Sequence, residues 1–273
     1  MVNVALCCIA KNENLYIREF IEHYKSLNFN HIFIYDNNDE LDERFEDVIN
    51  DYIESGYVTI IDYRDQKKAQ IKAYQECYET YKNEYDWIAF FDCDEFLVLN
   101  NYRTIQEYLD REVFNKISII RVNFMIYSDS GNYQYYDAPL KERFTIPAKT
   151  PKTFYKNCEA KSIIRCIEKE MIWYKTPYEV PNCPFIGWGE YGCLNNGTFC
   201  FPYNNFLHII NYDECYLIHY MYKSIDEYIN KIKRGWPHGE QYVNPHKIVN
   251  DYFEVNEFSS EKMSYLAYKL KNI

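Results

Sequence analysis

Three carboxylates fall within four residues at Asp92-Cys93-Asp94-Glu95, closing the largely apolar run Trp87-Ile88-Ala89-Phe90-Phe91. Like charges this close repel, and unpaired charges at the edge of a core are costly. Such a cluster is tolerated when something positive sits among its members, and a divalent cation is the usual occupant. Two carboxylates at i and i+2, Asp92 and Asp94, can share one hard cation or divide between the cation and a ligand. A cation held in this way also takes phosphate oxygens, which makes a metal-bound nucleotide the natural ligand class. The competing reading of the same residues is a solvated polar strand end.

His219 is the second candidate. It lies in Tyr216-Leu217-Ile218-His219-Tyr220, a strand-like apolar stretch, where a lone histidine is commonly a hydrogen-bonded core residue. Its neighbours change that reading. Lys223, Lys231, Lys233 and Arg234 follow it, the densest basic cluster of an acidic chain. An imidazole beside several cations suits one end of a metal–diphosphate unit, with His219 as metal ligand and Lys231 and Arg234 toward the phosphates. Two further carboxylates lie in loops. Asp129, in Ser128-Asp129-Ser130-Gly131-Asn132, is either an active-site carboxylate after a strand or part of an ordinary turn. Glu190, in Gly187-Trp188-Gly189-Glu190-Tyr191-Gly192, belongs to a lid whose Trp stacks on a sugar face or to a plain surface turn.

The elements that must position these residues are legible in the first hundred positions. Asn3 to Ala10 is a near-continuous apolar run, as in a strand buried on both faces. Ile17, Phe20, Ile21, Tyr24 and Leu27 follow at helical spacing. Strands are predicted at His31–Tyr35, Tyr57–Asp62 and Trp87–Phe91, with helices at Phe45–Ile53 and Gln66–Tyr81 between them. This βαβαβαβ series predicts an α/β fold with a mostly parallel central sheet flanked by helices. Ligands bind such sheets beyond the carboxyl ends of the strands. Here those ends read Lys11-Asn12-Glu13, Asp36-Asn37, Asp62 and Asp92-Cys93-Asp94, and they converge on one rim.

Beyond residue 100 the pattern is irregular. Strands are expected at Ser118–Tyr127 and Tyr216–Tyr220, a helix at Asp226–Lys233, and a last helix over 259–272 capped by Ser259 or Ser260. Residues 137–205 hold seven of the nine prolines and read as loops and small strands. A net charge of −11 argues against a nucleic-acid partner, which favours a basic face. The ten cysteines include no Cys-x-x-Cys pair, which argues against a zinc ribbon, and reduced thiols in a cytoplasmic setting are expected. The start, MVNVALCCIAKNEN, reads as a first strand rather than a signal peptide, and no apolar run approaches the ~20 residues of a membrane span.

Four stretches in order carry a resemblance: ALCCIAKNENLYIREFIEHYKSLNFNHIFIYDNND, DWIAFFDCDEFL, KSIIRC and LIHYMYKSIDEYINKIKRGW. The chain resembles bacterial and viral glycosyltransferases of the family-2 type related to glycosyltransferase family 92. The resemblance implies a GT-A-like fold in one domain over 1–273. Residues 1–100 form the nucleotide-sugar half, and an irregular acceptor-side and C-terminal half spans 101–273. It implies that Asp92 and Asp94 hold Mn²⁺ or Mg²⁺ and the donor diphosphate, and that His219 completes the metal shell. It places Lys11, Asn12, Glu13 and Asp36 near the nucleoside and Gln70 near the donor pocket. Lys161 and Arg165 match a basic segment toward donor or acceptor. The YSDSGN loop matches a family segment reading D-D-N or G-D-N, which makes Asp129 the first choice for catalytic base and Glu190 the second. One departure stands out: family members often carry Pro-His where this chain has Pro181-Asn182.

The expected activity is an inverting transfer of a hexose from UDP-galactose or UDP-glucose to a glycan, lipid-linked or protein-linked hydroxyl. Peripheral membrane contact would accompany a lipid-linked acceptor. Two alternatives use the same residues. A haloacid-dehalogenase-type phosphatase would take Asp92 as nucleophile, but that motif wants Thr or Val where Phe96 stands. A non-catalytic nucleotide-sugar or glycan-binding module would keep the fold without turnover, yet it has no need of a costly carboxylate cluster.

Overall fold

The computed structural model describes residues 2–148, 155–166, 172–173, 185–186, 192–200, 209–235 and 244–271. Four parallel strands open the chain: β1 (Val4–Ala10), β2 (His31–Asp36), β3 (Val58–Asp62) and β4 (Trp87–Phe90). Helices α1 (Ile17–Ser26), α2 (Glu46–Glu54) and α3 (Gln70–Tyr81) connect them. Alternation along β1 shows why both faces need a cover. Val4, Leu6, Cys8 and Ala10 pack in one core with Ile17, Phe20, Ile21 and Tyr24 of α1 and Ile49 of α2. Ala5 and Cys7 face the other way, into a second core with Ala73, Tyr74, Cys77 and Tyr78 of α3. The predicted mostly parallel sheet flanked by helices is the one observed.

The strand order begins β3-β2-β1-β4. The chain therefore reverses direction across the sheet between β1 and β4, and the crevice at their carboxyl ends is the natural binding place. After β4 the sequence turns through Asp92-Cys93-Asp94 into β5 (Glu95–Leu99), followed by α4 (Ile105–Leu109) and the long β6 (Ile119–Ile126). A short helix, α5 (Leu140–Arg143), precedes β7 (Ala160–Arg165). β7 inserts between β4 and β6, antiparallel to both. Among the described residues, β8 (Ile172–Trp173) and β9 (Phe185–Ile186) pair with each other, and β10 (Gly192–Leu194) pairs with β11 (Phe199–Cys200). β12 (Cys215–His219) and β10 share the remaining edge of β6, and β5 runs antiparallel to β12.

Among the described residues three helices follow: α6 (Ile225–Arg234), α7 (Pro245–Val255) and α8 (Ser260–Leu270). α6 starts with a capping box, Ser224 and Glu227 each bonding the other's backbone N–H. Asn244 caps α7 with Pro245 in its first turn, and the Ser259 hydroxyl accepts from the Lys262 N–H at the head of α8. β5 and α7 were not anticipated, whereas β7, in a stretch read as loops and small strands, is a six-residue member of the main sheet. Lys161 and Ser162 interrupt the apolar run of β7, and only their burial inside the sheet shows what they are doing there. Among the described residues nine cysteines are unbridged, and no helix is long and apolar enough to cross a membrane.

Candidate active site

The turn after β4 is tied to itself: the Asp92 N–H donates to the Glu95 carboxylate at 3.0 Å, and the Glu95 N–H donates to the Asp92 carbonyl at 3.0 Å. This aims the carboxylates at different partners. Asp92 Oδ1 accepts from the Tyr74 hydroxyl at 2.8 Å and from Gln70 Nε2 at 3.3 Å, both on α3. Asp92 Oδ2 takes Lys161 Nζ of β7 at 2.6 Å. Asp94 Oδ2 takes Lys231 Nζ of α6 at 2.7 Å, with Lys223 Nζ at 3.9 Å. Asp94 Oδ1 lies 3.5 Å from His219 Nε2. Glu95 and His219 sit directly opposite each other on β5 and β12, so their side chains share a face. Glu95 Oε1 is 4.0 Å from His219 Nε2 and 3.5 Å from Lys161 Nζ.

The positive charge among the three carboxylates is thus supplied by three lysines. Burial alone would keep Asp94 protonated, yet Lys231, His219 and Lys223 hold its carboxyl well below the usual carboxylate range. Burial pushes Glu95 well above that range, with Lys161 opposing the shift. Burial would also lower Lys161, but Asp92 and Glu95 beside it raise it above an ordinary lysine. Lys223 goes the other way: burial lowers it, although Glu13 and Asp94 oppose the shift. Its ammonium also lies over the Tyr16 ring, 4.5 Å from the centroid.

One oxygen or nitrogen each from Asp94, Glu95 and His219 lie within 4.8 Å of one another. Glu95 Oε1 and His219 Nδ1 are buried without a hydrogen-bond partner. Two carboxylates and an imidazole, with an unsatisfied oxygen aimed inward, fit a Mn²⁺- or Mg²⁺-type ion. This set differs from the expected Asp92, Asp94 and His219. Glu95 lies in this grouping, whereas the two Asp92 oxygens accept from Lys161, Tyr74 and Gln70. The signal for Glu95 was its position one residue before the apolar Phe96-Leu97-Val98-Leu99, which makes it the first residue of a strand.

The β1 and β2 ends close the same rim. Arg234 of α6 pairs with Glu13 at 2.5 Å and donates to the carbonyls of Lys11 and Asn12. Lys231 and Arg234, three apart on α6, therefore pin the helix to the ends of β4 and β1 respectively. The Asn12 N–H donates to Asn38 Oδ1 at 2.6 Å, and Lys11 pairs with the exposed Asp39 at 2.6 Å. Asp36 is buried and paired with Arg64 at 2.7 Å. Arg64 was not singled out beforehand, and Lys223 was noted only as part of the basic cluster after His219, because only the fold shows whose carboxylate each one faces.

Two predicted residues are not brought to this cluster. Arg165 stands at the opposite end of β7 from Lys161, four residues or roughly 13 Å away. Its guanidinium covers the Trp87 ring at 4.2 Å and donates to the carbonyls of Ile117 and Phe114. Antiparallel β7 runs away from the rim, so one strand cannot deliver both cations. Asp129 is 2% exposed and saturated: Oδ1 accepts from the Gly131 N–H (2.9 Å) and Oδ2 from the Tyr252 hydroxyl (2.9 Å). Lys262 Nζ reaches both oxygens at 2.8 and 2.7 Å. Asp129 thereby anchors its loop to α7 and α8, beside a surface pocket of about 350 Å³ that also involves Ile146, Pro147, Val255 and Glu257. Glu190 and the Pro181-Asn182 pair lie outside the described residues.

The family follows from a match along the chain: the family described as glycosyltransferase family 92 aligns with residues 2–250. The chain belongs to glycosyltransferase family 92. A family 92 protein of Oryza sativa subsp. japonica is 28% identical over 107 residues, covering 39% of this chain and 18% of the relative. One of Ricinus communis is 24% identical over 130 residues, covering 47% and 23%. The chain thus spans less than a quarter of the length of these family 92 relatives. Among solved structures it is similar to S. aureus TarS, at 12% identity and TM-score 0.43 over 99% of this chain and 46% of that one. Another is S. aureus TarS 1-349 in complex with UDP-GlcNAc, at 9% identity and TM-score 0.43 over 99% and 80%. A third is the glucosyl-3-phosphoglycerate synthase of Mycobacterium tuberculosis with Mn²⁺ and UDP, at 14% identity and TM-score 0.28 over 45% and 44%.

Proposed function

We propose that this protein is a metal-dependent, inverting glycosyltransferase that moves a hexose from UDP-galactose or UDP-glucose to a hydroxyl of a glycan, lipid-linked or protein-linked acceptor. One observation carries the reading within family 92. Asp94, Glu95 and His219 converge with Lys161, Lys223 and Lys231 at the crevice where the strand order reverses. Such a site suits a diphosphate and its cation. The choice of a UDP-hexose rests on the family resemblance.

Mn²⁺ or Mg²⁺, held by Asp94, Glu95 and His219, would supply electrostatic neutralisation of the departing diphosphate. The chain's own residues do the rest. Lys231 and Lys223 keep positive charge at the crevice, where the leaving group gains negative charge. Lys161, Tyr74 and Gln70 immobilise Asp92 and so hold the turn in place. Arg234 and Arg64 lock the β1 and β2 ends, where Lys11, Asn12, Glu13 and Asp36 border the nucleoside side. A carboxylate must take the acceptor proton as the hydroxyl attacks the anomeric carbon from the face opposite the leaving group. One such displacement inverts the centre. The commitment of both Asp129 oxygens to other donors favours Glu190 for that base.

The test is nucleotide release from a panel of UDP- and GDP-sugars with Mn²⁺, alongside Asp94→Ala and an EDTA-treated sample. Release from one donor, lost in both controls, is the expected result. Absence of both release and UDP binding, measured by calorimetry with Mn²⁺, would overturn the assignment of the crevice.

A further inference from the structure

The site holds its counter-charge in a form that a divalent ion must displace. Lys231 Nζ is 2.7 Å from Asp94 Oδ2, and Lys223 Nζ is 3.9 Å from the same oxygen. Lys161 bridges Asp92 at 2.6 Å and Glu95 at 3.5 Å. Three ammoniums therefore face three carboxylates. Apart from Asp92, at 34%, none of these side chains is more than 14% exposed. With three ammoniums beside at most three negative charges, a divalent ion added to this water-poor cluster leaves at least two uncompensated positive charges, and uncompensated buried charge is strongly unfavourable. A nucleoside diphosphate brings the missing negative charge.

The lysine in the way can move without leaving. Lys231 also donates to the Met221 carbonyl at 3.1 Å, and its four-carbon stem hangs from the last turn of α6. Released from Asp94, its ammonium still has an acceptor and stays at the crevice. Lys161 has no such freedom, being 1% exposed and wedged between two carboxylates.

We infer that Lys231 is a resident surrogate cation on Asp94, which yields to the divalent ion only when a nucleoside diphosphate arrives to receive the displaced ammonium. This deepens the proposed function and rests on that reading of the crevice. Metal and nucleotide then bind as a coupled pair, and the empty enzyme has little affinity for the metal alone.

The experiment measures Mn²⁺ binding by electron paramagnetic resonance of the free ion, with and without saturating UDP, corrected by a protein-free titration for Mn²⁺ held by UDP itself. Wild type should bind Mn²⁺ at least about tenfold more tightly with UDP than without, within the usual 5–150-fold range of coupling between sites. Lys231→Met should bind Mn²⁺ alone at least about tenfold more tightly than wild type, and UDP should add correspondingly less. Equal Mn²⁺ affinity of wild type with and without UDP overturns the inference, and that arm stands even where the variant fails to fold. Unchanged or weaker Mn²⁺ binding by a folded Lys231→Met, checked by circular dichroism, overturns it too. Neither result touches the proposed function. Failure of wild type to bind Mn²⁺ or UDP under any condition would overturn both readings.

Discussion

Replacing Arg143 by Met should cost the fold about 3 kcal/mol, at the low end of the roughly 3–5 kcal/mol lost when one half of a buried ion pair is removed. Arg143 and Glu227 are 2% and 5% exposed and are joined by two parallel bonds of 2.8 Å each. Without the guanidinium, the Glu227 carboxylate keeps the Tyr16 hydroxyl at 2.6 Å and the Ser224 N–H at 3.0 Å, which is why the low end applies. The assay is urea unfolding, where the midpoint should fall with little change in slope. Adding Glu227→Gln should restore at least half of the loss, because no uncompensated charge then remains. The consequence reaches the crevice. Glu227 sits in the first turn of α6, whose last turn carries Lys231 and Arg234, so UDP affinity should weaken in protein that is still folded. A loss below about 1 kcal/mol, the range of an exposed pair, would refute the reasoning. So would a double variant no more stable than Arg143→Met alone.

Burial holds the His23 imidazole down at about 4, partly offset by its 2.8 Å bond to the Leu97 carbonyl, whereas an unfolded chain protonates it near 6.5. Its contribution is complete above about pH 6.5 and is lost as pH falls toward 4, so stability should drop by about 2 kcal/mol from pH 7 to 5. His23→Gln should show a shallower drop in urea midpoint over that range, and identical drops would refute the assignment. Asp129→Asn should lose about 3 kcal/mol of stability through its broken pair with Lys262, while kcat stays within about tenfold of wild type. A kcat loss of about 10²–10⁴ would instead mark Asp129 as the base. His219→Ala and Glu95→Gln should each weaken Mn²⁺ binding in the presence of UDP by more than about tenfold, and Asp92→Asn by less than either. The opposite order would return Asp92 to the ligand set.

The local rules were enough for the first four strands and the three helices between them, though not for β5. Apolar runs and helical spacing placed β1 through β4 and α1 through α3 to within a few residues, because burial on both faces of a parallel sheet leaves a periodic record in the chain. The same record put Asp92, Asp94, Lys11 and Glu13 on one rim, since strand ends in such a sheet share one side. His219 was legible as an imidazole interrupting an apolar strand near a basic helix.

What the chain could not show is which charge faces which. Asp92 and Asp94 look equivalent in sequence, but the turn sends one to Lys161 of β7 and the other to Lys231 of α6, partners 69 and 137 residues away. Glu95 entered the cluster through the β5–β12 register, which sets it opposite His219, and a register between distant strands has no local signature. Lys161 was named only through the family resemblance, because a buried lysine breaks the apolar pattern that would reveal its strand. Asp129 followed a strand end as an active-site carboxylate would, yet Lys262 and Tyr252 from the last two helices bond its oxygens. Periodicity determined the elements and the rim. Long-range packing decided the pairing, because the energy of a buried charge depends on partners that only the fold brings within reach.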